Sequence, residues 1–166
     1  AGELRNFPLR EIKDTFGLKD HFRNKAFFEA YFSNYIEGTT FEIEEAEEII
    51  FEKKIPPKRP KDAHDILGTF QIVSDPNEMK LSPKNAADFI SILKNHHSIL
   101  MEKRPEALPG KFKEKANRAG NTHFVNPTLV EGTIEKGFAF YENLSRGLAR
   151  AIYMMFLITD IHPFAD

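Results

Sequence analysis

The chain contains no cysteine and no tryptophan. Without thiols there is no disulfide scaffold, no thiolate nucleophile and no cysteine-bound metal, and the absence fits a reducing compartment. Net charge is almost missing as well: 23 Lys and Arg stand against 25 Asp and Glu, a formal charge of -2. No global field therefore selects nucleic acid or an anionic membrane. Basic stretches at 53–61 and 111–115 are offset by an acidic run at 42–48. Long apolar runs are lacking too. The longest, residues 151–158, falls far short of the about 20 residues a membrane helix needs, and it reads as a buried core helix. No basic segment followed by an apolar stretch opens the chain, so no secretory signal is expected and the cytoplasm is the expected compartment.

What is present is helical periodicity. The 166 residues suffice for one domain with a real core, and the 16 phenylalanines suit a Phe-rich helical one. Residues 20–37 place Phe27, Ala30, Tyr31 and Asn34 at helical spacing, with Gly38 as the stop. The run Thr39-Thr40-Phe41-Glu42 looks like a capping box for a helix through Ile43, Ala46, Glu47 and Ile50 that ends before Pro56-Pro57. Residues 61–73 carry Ala63, Ile66, Leu67 and Phe70 on one face. Ser82-Pro83 predicts the next start, a side-chain cap and then proline at the first helical position. That helix holds Phe89, Ile90, Leu93 and His97 and ends at Arg104-Pro105. Residues 109–124 are polar, with Gly110 and Gly120, and read as an exposed loop or short hairpin. Loops of that length inside compact domains are often functional. Asn126-Pro127 caps a helix to about Asn143. Ser145 is expected to open a last helix through Ile158, apolar nearly all round and hence central to the bundle. The expected fold is all-α, a helical bundle with a short β-hairpin.

Two constellations could carry chemistry. His162 follows the apolar helix, precedes Pro163 and is expected to be extended for that reason; Asp166 lies four residues on. Together they suit a general base and a metal ligand, although most His-Pro pairs at helix ends are structural. Ser33 and Glu37, four apart, share a helix face. A carboxylate there meets the negative end of the helix dipole and would gain from an arginine partner; otherwise it is a solvated helix-end residue. His96-His97 with His162 suggests a metal-dependent hydrolase, against which adjacent histidines point to different helix faces.

His162-Pro163-Phe164-Ala165-Asp166 resembles the opening of the signature of the Fic family of AMP-transferring enzymes. Ser33 to Gly38 resembles that family's inhibitory motif, and Leu108-Pro109-Gly110-Lys111-Phe112 with the polar stretch to Phe124 is similar to its flap. The three occur in the family's order, over roughly residues 20–166. The resemblance implies N-terminal helices including the inhibitory one at 1–60 and a Fic core at 61–166. It implies transfer of AMP from ATP to a Ser, Thr or Tyr hydroxyl of a target protein, with ATP as substrate and Mg²⁺ as cofactor. His162 would be the base and Asp166 the Mg²⁺ ligand, while Pro163 and Phe164 would anchor the motif. Lys115, Ala116, Asn117, Arg118, Ala119, Gly120, Asn121 and Thr122 would dock the target as an added strand. Ser33, Glu37 and Gly38 would form the inhibitory motif, with Glu37 paired to the signature's last arginine. The partners implied are that target and, in a homodimer, a second copy; no membrane is expected, and no nucleic-acid motif is visible. The chain stops at Asp166, before the signature's Gly-Asn-Gly-Arg half. The natural protein is therefore expected to continue, these residues alone to transfer no AMP, and Ile152 and Phe156 to expose apolar surface. Removal of AMP, transfer of another phosphate-bearing group and a non-enzymatic helical interaction module are the competing readings.

Overall fold

Glycine, proline and a few side-chain caps decide where the helices begin and end. The computed structural model describes Gly2 and residues 19–165. Among them are six α-helices: α1 (Lys19–Ile36), α2 (Ile43–Glu47), α3 (Pro60–Val73), α4 (Ala86–Leu100), α5 (Val130–Glu142) and α6 (Leu148–Ile161). One antiparallel pair, β1 (Arg118–Ala119) and β2 (Thr122–His123), lies between α4 and α5. The architecture is all-α with a short hairpin. No described helix is long and apolar enough to cross a membrane.

Phe27, Ala30, Tyr31 and Asn34 form the buried face of α1. The Asn34 amide donates to Ala30 O at 2.9 Å and to Thr69 Oγ1 at 3.0 Å, so this buried polar group is satisfied. Gly38, at φ 90°, ends the segment as its position suggested. The capping box at Thr39 does not form. Glu42 is the N-cap of α2 and makes no side-chain cap bond. Instead Phe41 is buried, and Arg59 lies over its ring at 4.0 Å while donating to Thr40 O at 2.6 Å. Burial of a whole aromatic ring outweighs a cap bond of about 1 kcal/mol. After Glu47 the helix widens into a π turn, Glu48–Glu52, and the adjacent Ile49 and Ile50 are both buried. Lys53, left-handed at φ 59°, closes it before the prolines.

Two further starts differ from those the sequence suggested. α4 begins at Asn85 rather than Ser82. Asn85 accepts from Asp88 N at 2.8 Å while the Asp88 carboxylate accepts from Lys84 N at 2.9 Å. The first bond satisfies an orphan donor of the helix start, the second ties down the N–H just before the cap, and Ser82 is left outside. α6 begins after Gly147 rather than at Ser145. Arg150 holds the preceding turn non-helical by donating to Leu144 O and Glu142 O, both at 3.1 Å, and by covering the Tyr141 ring at 4.6 Å. The expectation that α6 sits at the centre of the bundle is also corrected. It packs on α5 along one face, and on the other Met155 and Phe156 are 62% and 65% exposed. Phe156 is thus exposed as anticipated, whereas Ile152 is half-buried.

The helices stack in chain order, α1 on α3, α3 on α4, α4 on α5 and α5 on α6. Their apolar faces build two clusters. One joins α1, α2, the π turn and α3 through Phe27, Ile49, Ile50 and Ile66. The other joins α4, α5 and α6 through Phe89, Val130, Ile134, Phe138 and Ile161. The seam between them is the α3–α4 crossing, where Gly68 lets backbones approach: a Cβ there would stand 3.1 Å from Ile99 O and 3.3 Å from Leu100 Cα. An ionic clasp reinforces the seam. Arg104 donates to both carboxylate oxygens of Asp65, at 2.6–3.1 Å, and to Asp62 at 3.0 Å. The Asp65 carboxylate holds the guanidinium pKa above its usual value although burial opposes it.

Gly68→Ala forces backbone, not a side-chain tip, to move, and thermal or urea unfolding should register a loss of about 1–3 kcal/mol. Arg104→Lys keeps the charge but loses the planar fork, so it too should lower the midpoint; an unchanged midpoint in both variants would contradict this account of the seam.

Candidate functional site

The C-terminal end of α6 turns into a locked reversal. Ile161 is fully buried, and His162 N donates to Ile158 O at 2.8 Å, closing the last helical turn. His162 then adopts φ 46°, ψ 71°. This left-handed conformation replaces the extended one expected before a proline. Pro163 disfavours the right-handed region, and a left-handed residue ends a helix as a glycine would. For a residue with a Cβ it costs about 1–2 kcal/mol, so the surroundings must hold it, and backbone strain of this kind clusters at functional sites.

The 109–124 loop does the holding. Phe124 stacks on the His162 ring with centroids 4.5 Å apart and planes 17° apart. Lys113 N donates to Pro163 O at 2.9 Å. The Lys113 side chain is buried, with Nζ donating to Asn117 Oδ1 at 2.6 Å and to Ile161 O at 3.1 Å. Asn117 in turn donates to Phe164 O at 3.1 Å. The carbonyls of Ile161, Pro163 and Phe164 are thus all taken by one loop.

Phe164 is buried and lies flat on His97, centroids 3.8 Å and planes 8° apart, with Phe112 at 5.6 Å. Gly110 N donates to His97 Nδ1 at 3.1 Å. A ring nitrogen that accepts is unprotonated, so the neutral ring carries its proton on Nε2. His97 is therefore a packing plate beneath the motif rather than a solvent-facing base.

The remaining candidates fall in three places. The hairpin pairs Arg118 with His123 and Ala119 with Thr122, turning at Gly120 (φ 56°) and Asn121. Lys115, Ala116, Arg118, Ala119, Gly120, Asn121 and Thr122 are exposed, whereas Asn117 turns inward as described. Ser33, Glu37 and Gly38 are exposed at the end of α1. Among the described residues Glu37 makes no side-chain hydrogen bond or ion pair, and none joins it to the His162 loop. α1 belongs to the first apolar cluster and Ile161 to the second. Asp166 lies outside the described residues. His96 is half-buried, with Nε2 2.8 Å from Glu78 Oε2, and so points to another surrounding than His97. His96, His97 and His162 thus have separate surroundings, and no group of three or more metal-ligating side chains occurs among the described residues.

Lys113 is the residue that sequence reasoning missed; His97 was placed on its helix face and Phe124 at the end of the polar stretch, without their ring contacts to Phe164 and His162. Lys113 sits in an alternating basic run, Lys111, Lys113, Lys115, in which nothing marks the middle one for burial. No family model and no curated protein matches the chain.

Lys113→Met leaves the Ile161 carbonyl and the Asn117 amide oxygen without their shared donor, and should cost about 1–3 kcal/mol in unfolding. Amide hydrogen exchange should quicken at residues 161–164 before it does in α5. Uniform quickening across α5 and α6 would show that Lys113 supports the whole bundle rather than this reversal.

Proposed function

We propose that the chain belongs to a Fic-type enzyme that moves AMP from ATP to a Ser, Thr or Tyr hydroxyl of a target protein. One observation carries the reading: the His162-Pro163-Phe164 turn, which begins the resemblance to the Fic signature, is held in a strained reversal by the loop that resembles the Fic flap. A general base must be fixed relative to its substrate, and a misplacement of about 1 Å costs orders of magnitude in rate. Backbone, ring stacking and a buried lysine converge here to fix one imidazole.

In this reading a His162 nitrogen takes the proton of the target hydroxyl as its oxygen attacks the α-phosphorus. The new bond is O–P, the bond broken joins the α-phosphorus to the bridging oxygen, pyrophosphate leaves, and the proton resides on the imidazole. An imidazole suits the step because its pKa lies near working pH. The hairpin offers an edge for an extended target segment, with exposed backbone at Arg118–Ala119 and Thr122–His123. By the resemblance Asp166 would hold Mg²⁺ on the nucleotide phosphates, supplying charge neutralisation there. Glu37 would restrain the γ-phosphate arginine of the signature. Its exposed position with no described ion partner is compatible with a carboxylate that takes its partner from elsewhere.

A second reading, a non-enzymatic interaction module, draws on the exposed stripe of Phe28, Phe32, Tyr35 and Ile36 along α1. It expects no nucleotide binding.

In the protein as its gene encodes it, Glu37→Gly should raise labelling of target proteins from radiolabelled ATP several-fold. His162→Ala should abolish labelling in either background while circular dichroism stays unchanged. Labelling that survives His162→Ala would remove His162 as the base, whereas no labelling together with no thermal shift with ATP and Mg²⁺ would remove the enzymatic reading in favour of the interaction module.

A further inference from the structure

A cavity of about 880 Å³ lies along the N-terminal half of α6, among α4, α5 and the 78–84 loop. The cavity is lined on this helix by Gly147, Arg150, Ala151 and Met154, which stand about 12–22 Å along the axis from His162. Its size falls within the about 300–1,000 Å³ of small-molecule sites. The floor is apolar: Phe89, Phe138, Tyr141 and Met154 line it.

The rim is cationic. Lys84 and Arg146 line the cavity from two different loops, and neither side chain makes a hydrogen bond or ion pair with any described residue. Arg150 is a third cation, held at a fixed place by the Leu144 and Glu142 carbonyls. The N-terminus of α6 opens on the same space through Gly147 and Ala151, and its N-cap makes no side-chain cap bond. Two carboxylates also line the cavity, Glu78 and Glu142; His96 engages the first at 2.8 Å. Cations from two loops and from α6 thus share the lining with an aromatic floor.

We propose that this cavity binds a small amphipathic anion, an oxyanion head group on an apolar body, with Lys84 and Arg146 receiving the head group and the Phe89–Phe138–Tyr141 floor receiving the body. The site is independent of AMP transfer and uses none of the residues around His162. Ring and chain surfaces of the ligand gain from burial on the floor. The head group gains from cations that would otherwise stand alone in water, and such charge-assisted bonds are the stronger kind.

The test is a fluorescence titration with anilinonaphthalene sulfonate, followed by competition with decanoate and with decanol. Decanoate should displace the dye and decanol should not. Lys84→Glu combined with Arg146→Glu should weaken dye binding by about tenfold or more; Lys58→Glu with Lys136→Glu, which makes the same change in net charge away from the cavity, should leave it unchanged. Ser82→Trp adds bulk to the lining while keeping both cations and should give a comparable loss. Four results would each overturn the proposal: equal binding by both double variants, which puts the dye on exposed faces such as that of Phe156; equal loss in both; undiminished binding by Ser82→Trp; or decanol competing as well as decanoate.

Discussion

Everything near the end of α6 depends on a lysine that does not reach water. Lys113 spends its backbone N–H on Pro163 and its Nζ on Ile161 and Asn117. Burying such a group is costly unless it is bonded, and here the bonds fall on the carbonyls that a helix end leaves orphaned. The same contacts that make Lys113 tolerable in the interior therefore make the reversal at His162 tolerable. Asn117 completes the circuit by holding both Lys113 and Phe164. Removing any member leaves buried polar groups without partners, so the loop and the helix end stand or fall as one unit.

The ring contacts serve the same end from the other side. Phe124 covers His162, and His97 lies beneath Phe164. Offset aromatic contact of this kind adds about 0.5–1.5 kcal/mol beyond burial, comparable with the strain of one left-handed residue. The motif turn is thus clamped between two rings at its faces and two side-chain donors along its edge. Such clamping confines motion without requiring further chain in contact with the imidazole.

Much of this was legible in the sequence. Helical periodicity located all six helices, because the apolar spacing that buries Phe27, Ala30 and Tyr31 or Phe89 and Ile90 is a property of the local chain. Starts were less legible. Ser82 and Asn85 both offer a cap, and the choice fell to the reciprocal bonds of Asp88, a detail three residues beyond the signal. At Thr39 a good cap lost to the burial of Phe41, a tertiary effect. The α6 pattern was read correctly as apolar but not as one-sided, since periodicity cannot say what covers a face. At the site, His162 and Phe164 were found through a short motif and His97 through its helix face, whereas the stacking of His97 on Phe164 and the role of Lys113 could not be. A lysine between two others looks solvated until the fold shows which carbonyls surround it.

The division into two apolar clusters has a mechanical meaning. α1 leans on α2 and α3, while the His162 turn leans on the flap-like loop through Phe124 and on α4 through Phe164 and His97, and the two halves touch at the Gly68 crossing and the Arg104 clasp. Peeling α1 away therefore sacrifices the contacts of Phe27, Ala30 and Tyr31 and leaves the second cluster whole, the pattern expected of separately cooperative units. A helix mounted in that way can be shed by a modest force or a competing surface while the imidazole keeps its seat. Any control exerted from the acid at its tip would then be set by a local melting equilibrium, tunable by single aromatic residues far from the histidine.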